Sequence, residues 1–396
     1  MKKKFFVICP LGFEQELGQE IQEFWPYLIE KDGRPHAEAL GEINYLKGGV
    51  EVECEEILGF QINFFSKIAS RVLLRLSVFH SKDFSKFQRK LQEIPLEKII
   101  GAQKFDLEIS CSESRMLNEK KVKEICRAAW KNQVFEGADI KIYIRIHQDQ
   151  CSVSLDTTGE HLHFRSGNQE QAVLKTIAPL RENFAAWMCF QMMKDTSASE
   201  TQQIELVDPM AGSGTILKEA ALLYQPNLKR SYSFLKFSSC PKILKTEMLR
   251  QNYPQLPFLF KKLLAFDINP EIEKIIQSNL AGLNFEFKSQ NLFQAQPLSD
   301  SQRRWVMVNP PYGERLELNF QFSDLISKID QVYAPEKIGL IVPKKYVSTL
   351  PELTSKGLAL RLKIPFSNNG IQVEFVIYNL DQNRVDKRMS YFENHE

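Results

Sequence analysis

No apolar run in the 396-residue sequence approaches the roughly 18 residues that a membrane span needs. The opening stretch sets Lys2-Lys3-Lys4 before Phe5–Cys9 and stops at Pro10. That run is too short for a secretory leader, and a first strand is expected there instead. Seven cysteines are scattered without any Cys-x-x-Cys pair, which excludes a disulfide framework and a zinc site and points to a reducing, cytoplasmic compartment. The six histidines form no ligand pattern, so no metal is expected. No Gly-Lys-Ser/Thr follows a glycine-rich turn, which excludes a phosphate-loop nucleotidase. Internal repeats and low-complexity tracts are absent, and with 51 basic against 49 acidic residues the net charge is only +2, which by itself suggests no partner.

What is present is unevenly placed. Residues 1–61 carry 6 Lys/Arg against 12 Asp/Glu, whereas residues 62–147 carry 17 against 10. A basic segment beside an acidic one matches a phosphate-backbone footprint, although a solvated lysine-rich surface gives the same balance. Lys120, Lys121, Lys123 and Arg127 fit either description, and Arg71 with Arg75 would form a basic strip.

The periodicity predicts strands over 3–9, 50–54, 72–79, 105–111, 140–147 and 151–156, with helices over 11–24, 55–65, 84–94 and 118–130 between them. This is an interleaved α+β pattern. A helix is expected over 178–193 with Leu180, Phe184, Trp187, Met188 and Gln191 on one face; Phe184 and Trp187 read as core. From Ile204 strands and helices alternate as in a doubly wound α/β sheet, with strands over 204–207, 263–267, 285–288, 305–309, 338–342 and 373–380. Pro365 and Asn368-Asn369-Gly370 mark a break suited to a closing hairpin.

Two motifs carry chemistry. Asp208-Pro209-Met210-Ala211-Gly212-Ser213-Gly214-Thr215 ends a strand, turns tightly and opens a helix. Its glycines let backbone approach a ligand closely, as nucleotide-type cofactors require. The third glycine of a dinucleotide fingerprint is missing, and the acid that ends the next strand, Asp267, follows a long insertion. Asp267 is placed to accept hydrogen bonds from ribose hydroxyls. These features disfavour a nicotinamide-dependent oxidoreductase.

The second motif, Asn309-Pro310-Pro311-Tyr312, follows the strand ending at Val308. An exocyclic base amine is a poor nucleophile because its lone pair is delocalised into the ring. Two acceptors, the Asn309 side-chain oxygen and the Pro310 carbonyl, would hold its N–H groups and turn the lone pair toward a methyl donor. Tyr312 offers a flat face on which an extruded base stacks. A stiff proline turn is the plain alternative.

Taken together, Asp208–Thr215 and Asn309–Tyr312 resemble the amino-group nucleic-acid methyltransferases that use S-adenosylmethionine. The run from Asn309 to Leu316 is similar to the THUMP-containing guanine-N2 RNA methyltransferases, as are Ser154–Glu160, Ala178–Ala186 and Tyr224–Arg230. Ser112–Trp130 resembles the THUMP signature and Phe5–Glu20 its ferredoxin-like neighbour. The resemblance covers nearly the whole chain and is greatest to bacterial enzymes that methylate guanine N2 in large-subunit ribosomal RNA.

It implies an α/β fold: a ferredoxin-like module over 1–60, a THUMP RNA-binding domain over 61–157 and a Rossmann-like methyltransferase domain over 158–396. It implies that Asp208, Pro209, Gly212, Gly214 and Thr215 surround the methionine part of the cofactor. Asp267 and Ile268 would meet the ribose and Asn291 the adenine, while Asn309, Pro310 and Tyr312 hold the base. The implied partner is 23S ribosomal RNA; transfer RNA, or a non-catalytic role in ribosome assembly, are the alternatives. Two departures stand out. Asn291 occupies a position where many relatives have Asp, and His163-Phe164-Arg165-Ser166-Gly167-Asn168 replaces a more basic run.

Overall fold

The computed structural model describes residues 2–165, 180–246, 253, 256, 258–299, 301–312, 320–368 and 370–380. The sequence features at 166–168, 178–179, 313–316 and 369 lie outside them. The chain forms two units, Met1–Gln171 with Tyr224–Leu256, and Ala172–Leu223 with Pro257–Glu396. No helix among the described residues is long and apolar enough to cross a membrane.

The first unit is built on seven strands: β1 (Lys2–Ile8), β2 (Ile43–Leu46), β3 (Gly49–Glu55), β4 (Arg71–His80), β5 (Phe105–Ser112), β6 (Ile140–His147) and β7 (Gln150–Asp156). They lie in one sheet in the order β2-β3-β1-β4-β7-β6-β5. Because β1 pairs antiparallel with both β3 and β4, the boundary expected after residue 60 runs through a continuous sheet. In β6 the alternation is complete: Ile140, Ile142, Ile144 and Ile146 point into the core. The helices Phe84–Gln92 and Glu119–Trp130 start where Asp83 and Asn118 accept the backbone N–H groups of Lys86 and Lys121.

Of the insertion expected over 224–260 in the methyltransferase segment, residues 224–256 group with this first unit. Aromatic packing is the reason. Phe234 stacks on Phe60 with ring centroids 4.9 Å apart, and Tyr232 meets Phe64 edge-on at 5.2 Å. Buried Arg230 donates to the carbonyls of Glu160, His161 and Phe164. The basic strip expected from Arg71 and Arg75 does not form. Arg71 is buried and paired with Asp156, whereas Arg75 contacts Glu51 and Ser154 and lies over the Phe6 ring.

The second unit holds β8 (Glu205–Asp208), β9 (Lys262–Asp267), β10 (Phe285–Ser289), β11 (Arg304–Val308), β12 (Lys337–Pro343), β13 (Leu358–Asn368) and β14 (Ile371–Leu380). Their order is β10-β9-β8-β11-β12-β14-β13. The first five run parallel, and β14 is antiparallel to both β12 and β13. Pro365, expected to break the chain, sits inside β13 opposite Glu374. An edge strand tolerates proline because one side of it needs no ladder partner.

The helix Glu182–Met193 also differs from expectation: it is buried on all sides rather than along one face. Trp187 packs on Phe366 and Phe375, and Phe184 stacks on Phe366.

Candidate active site

In the second unit the strand order reverses between β8 and β11. Open α/β sheets form a crevice beyond the carboxyl ends of their strands at such a point. The residues singled out above follow these ends: Asp208 closes β8, Asp267 closes β9, Asn291 comes two residues after β10, and Asn309 follows β11 directly.

The turn after β8 takes its shape from its glycines. Gly212 and Gly214 have φ of 51° and 78°, a left-handed geometry that side-chain-bearing residues seldom adopt. The Gly214 N–H closes the turn on the Ala211 carbonyl at 2.7 Å, and the Ala211 N–H donates to the Phe266 carbonyl of β9 at 2.8 Å. Thr215 then opens the helix Thr215–Ala221. The Gly212 N–H donates to Asp267 Oδ2 at 2.9 Å, while Asp267 Oδ1 accepts from the Asn269 N–H at 2.9 Å. The Asp267 carboxylate is thereby held by backbone on both oxygens, with lone pairs left over.

Asp208 is buried, and its Oδ1 accepts the Met210 N–H at 3.1 Å. Burial pushes its carboxyl up to about 8; the Met210 bond opposes this and the charge of Asp267 adds to it.

A cavity of about 940 Å³ opens beside the turn. Asp208, Pro209, Gly212, Thr215, Asp267, Ile268, Asn291, Asn309, Pro310 and Tyr312 all line it. Gly214 does not; a Cβ there would meet the Leu280 side chain at 3.5 Å, so its part is conformational. Asn291 Oδ1 accepts the Phe293 N–H at 3.0 Å, capping the turn Leu292–Gln294, so its oxygen is partly committed to backbone.

Asn309 Oδ1 is buried with no hydrogen-bond partner among the described residues. Leaving a buried acceptor unmatched costs about 1–3 kcal/mol, and at a cavity wall such an atom is placed to take a donor from a ligand. Burial raises the Tyr312 hydroxyl above its usual range, and the Asn368 amide, donating to Tyr312 Oη at 2.7 Å, works against that.

Several lining residues escaped the sequence reading. Ile275, Phe293, Phe320 and Ile371 add apolar wall, and Asn368 adds a polar side chain from the tip of β13. Asn368 had a local signal only as part of a turn, because its distance of 56 residues from Tyr312 conceals the contact.

Residues 170–337 match the family model described as RMKL-like, methyltransferase domain. The chain is 27% identical over 362 residues to the ribosomal RNA large subunit methyltransferase K/L of Syntrophotalea carbinolica, covering 82% of this chain and 47% of that protein. It is 26% identical over 367 residues to the protein of the same name from Marinobacter nauticus, covering 85% and 47%. The chain thus spans less than half the length of these relatives. Two solved structures share its fold. A possible methylase from Clostridium difficile 630 superposes with a TM-score of 0.71 at 22% identity, over 96% of this chain and 99% of that one. SMU.472, solved with SAH, superposes with a TM-score of 0.74 at 18% identity, again over 96% and 99%.

Proposed function

Because residues 170–337 match the family described as RMKL-like, methyltransferase domain, we propose that this chain transfers a methyl group from S-adenosylmethionine to N2 of a guanine in 23S ribosomal RNA. The observation that carries this reading is the buried, unmatched Asn309 Oδ1 in a cavity that Gly212 and Asp267 also line.

The residues present fit the cofactor. Two backbone-anchored carboxylate oxygens at Asp267 suit a ribose diol, and the apolar side chains of Ile268, Ile275 and Phe293 suit an adenine ring. Asp208 suits the amino group of the methionine part, since a cation there offsets the cost of a buried carboxylate. When bound, the cofactor supplies an electrophilic methyl group on a sulfonium.

The remaining work falls to this chain's own groups. Asn309 Oδ1 and the Pro310 carbonyl accept the two N–H groups of the amine, fixing its lone pair toward the methyl group. Two acceptors on the amine would also favour the positive charge it gains as the N–C bond forms and the donor's methyl–sulfur bond breaks, a charge relieved when one of the amine protons is lost to water. Tyr312 covers a face of the base, which its extrusion from a stack requires. The first unit would grip RNA as the ferredoxin-like and THUMP modules of the resemblance do. The exposed Lys120 and Arg127 on the helix Glu119–Trp130 are suited to phosphate.

The test incubates purified protein with labelled S-adenosylmethionine and transcribed 23S ribosomal RNA, then digests the product to nucleosides. Label in N2-methylguanosine is expected. Label in an adenine or cytosine nucleoside overturns the base assignment. Cofactor binding without turnover on ribosomal or transfer RNA would leave a non-catalytic role in assembly.

A further inference from the structure

Asn309 is not the only polar side chain that the cavity leaves unmatched. Asn368, at the end of β13, is 7% exposed and lines the same cavity. Its Nδ2 donates to Tyr312 Oη at 2.7 Å, yet its Oδ1 has no partner among the described residues. Pairing places it there. β14 runs antiparallel to β12, with Val373 opposite Pro343, and Asn368 faces Ile371 across the hairpin. The hairpin tip therefore stands beyond the carboxyl end of β12, at the edge that carries Asn309.

Watson–Crick edges differ in what lies beside the amine. In guanine the N2 amine is flanked by the N1–H donor. In adenine the N6 amine is flanked by the N1 acceptor, and in cytosine the N4 amine by the N3 acceptor. A site with an acceptor beyond the one that holds the amine therefore matches guanine and leaves adenine and cytosine with two acceptors facing each other. The bond to Tyr312 Oη uses one of the amide's two N–H groups and turns the Nδ2 end toward Tyr312, which leaves the oxygen for the base.

We infer that Asn368 Oδ1 accepts the N1–H of the target guanine, so that Asn368 reads the base while Asn309 holds the amine. This deepens the proposed guanine-N2 activity and rests on it. Asn368 also fixes Tyr312, so the base-stacking ring and the base-reading oxygen are set by one side chain.

The experiment compares the parent with Asn368→Ala and Asn368→Asp in full-length protein, using transcribed 23S ribosomal RNA and S-adenosylmethionine. Initial rates, nucleoside identity and cofactor affinity by calorimetry are read together. Asn368→Ala is expected to lower kcat/KM by about tenfold to a hundredfold, the usual loss for one buried hydrogen bond to substrate, with cofactor affinity within twofold of the parent.

An aspartate keeps an acceptor, and Tyr312 can donate to its other oxygen. At saturating S-adenosylmethionine, Asn368→Asp is therefore expected to gain turnover relative to the parent as pH rises and its carboxyl ionises. Guanine labelled equally by the parent and Asn368→Ala would overturn this inference and leave the guanine-N2 reading standing. An Asn368→Asp variant no better than Asn368→Ala at any pH would show that the amide faces the base with its N–H2 group, which also overturns it. Label in adenine from the parent would overturn both readings, because adenine has no N1–H.

Discussion

Buried polar groups of the first unit's core and those of the second unit's cleft are treated in opposite ways. In the first, Glu20 is enclosed by the Ser66 hydroxyl and the backbone N–H groups of Lys67 and Ile68. Gln61 bridges Ile29 on both its amide atoms, and Asn63 joins Thr157 and Thr158. Arg71 pairs with Asp156, whose other oxygen accepts the Thr158 N–H. Those networks are closed. In the cleft of the second unit, Asn309 and Asn368 each hold a buried oxygen without a partner among the described residues. Polar burial that is satisfied specifies a fold, whereas polar burial that is left open specifies a ligand. The two kinds of residue should respond to substitution in opposite directions.

The largest contrast is expected between the Arg71–Asp156 pair and Asn309. Asp156→Ala strands a buried guanidinium and should cost about 3–5 kcal/mol of stability, read as a lower denaturant midpoint. Asn309→Ala should instead cut turnover by about a hundredfold to a thousandfold, the scale of losing one aligned acceptor at a reacting centre. Its midpoint should hold or rise slightly, since an unmatched oxygen is removed. A drop of several kcal/mol for Asn309→Ala would erase the distinction.

Next in size is the pH response of Asp208. Its folded carboxyl lies near 8, well above the value of an exposed aspartate. The folded chain without ligand therefore holds a proton that the unfolded chain releases. Stability from this group is full in acid and is lost as pH climbs toward 8. A ligand ammonium beside Asp208 requires the ionised form, so cofactor affinity should rise with pH. The expected gain is up to about tenfold per unit between pH 6 and 7.5, as one-proton linkage dictates. Titrating S-adenosylmethionine calorimetrically at several pH values checks this. Asp208→Asn should flatten both slopes, and an unchanged pH slope of affinity in that variant would remove Asp208 from the cofactor site.

How much of this was legible in the sequence follows from the range of each signal. The parallel strands were visible because β-rich apolar runs alternate with helical periods, and Asp208, Asp267, Asn291 and Asn309 follow from where those runs stop. The helices over 84–94 and 118–130 were readable from their period, and Asp83 and Asn118 cap them. Contacts made across long stretches of chain were not. The partner of Arg71 lies 85 residues away, and that of Tyr312 lies 56 residues away. No window of periodicity contains either pair. Pro365 misled because its cost depends on whether the strand is central or at an edge, which only the sheet order decides. The burial of Tyr232, Phe234 and Phe237 was not legible because an insertion rich in lysine, proline and aromatics carries no clear period.

The smallest predicted effect separates the two glycines of the turn. Both have positive φ, but Gly212 lines the cavity and Gly214 does not. A Cβ on Gly214 would meet Leu280 at an ordinary contact distance of 3.5 Å, so crowding adds nothing. What remains is the left-handed backbone, which costs an alanine about 1–2 kcal/mol. Gly214→Ala should therefore lower the melting temperature by a few degrees while the affinity for S-adenosylmethionine stays within twofold. Gly214→Asn should recover part of the loss, because asparagine tolerates this conformation better than alanine. A tenfold loss of cofactor affinity in Gly214→Ala, at unchanged melting temperature, would mean that Gly214 belongs with Gly212 as a ligand-facing residue rather than a purely structural one.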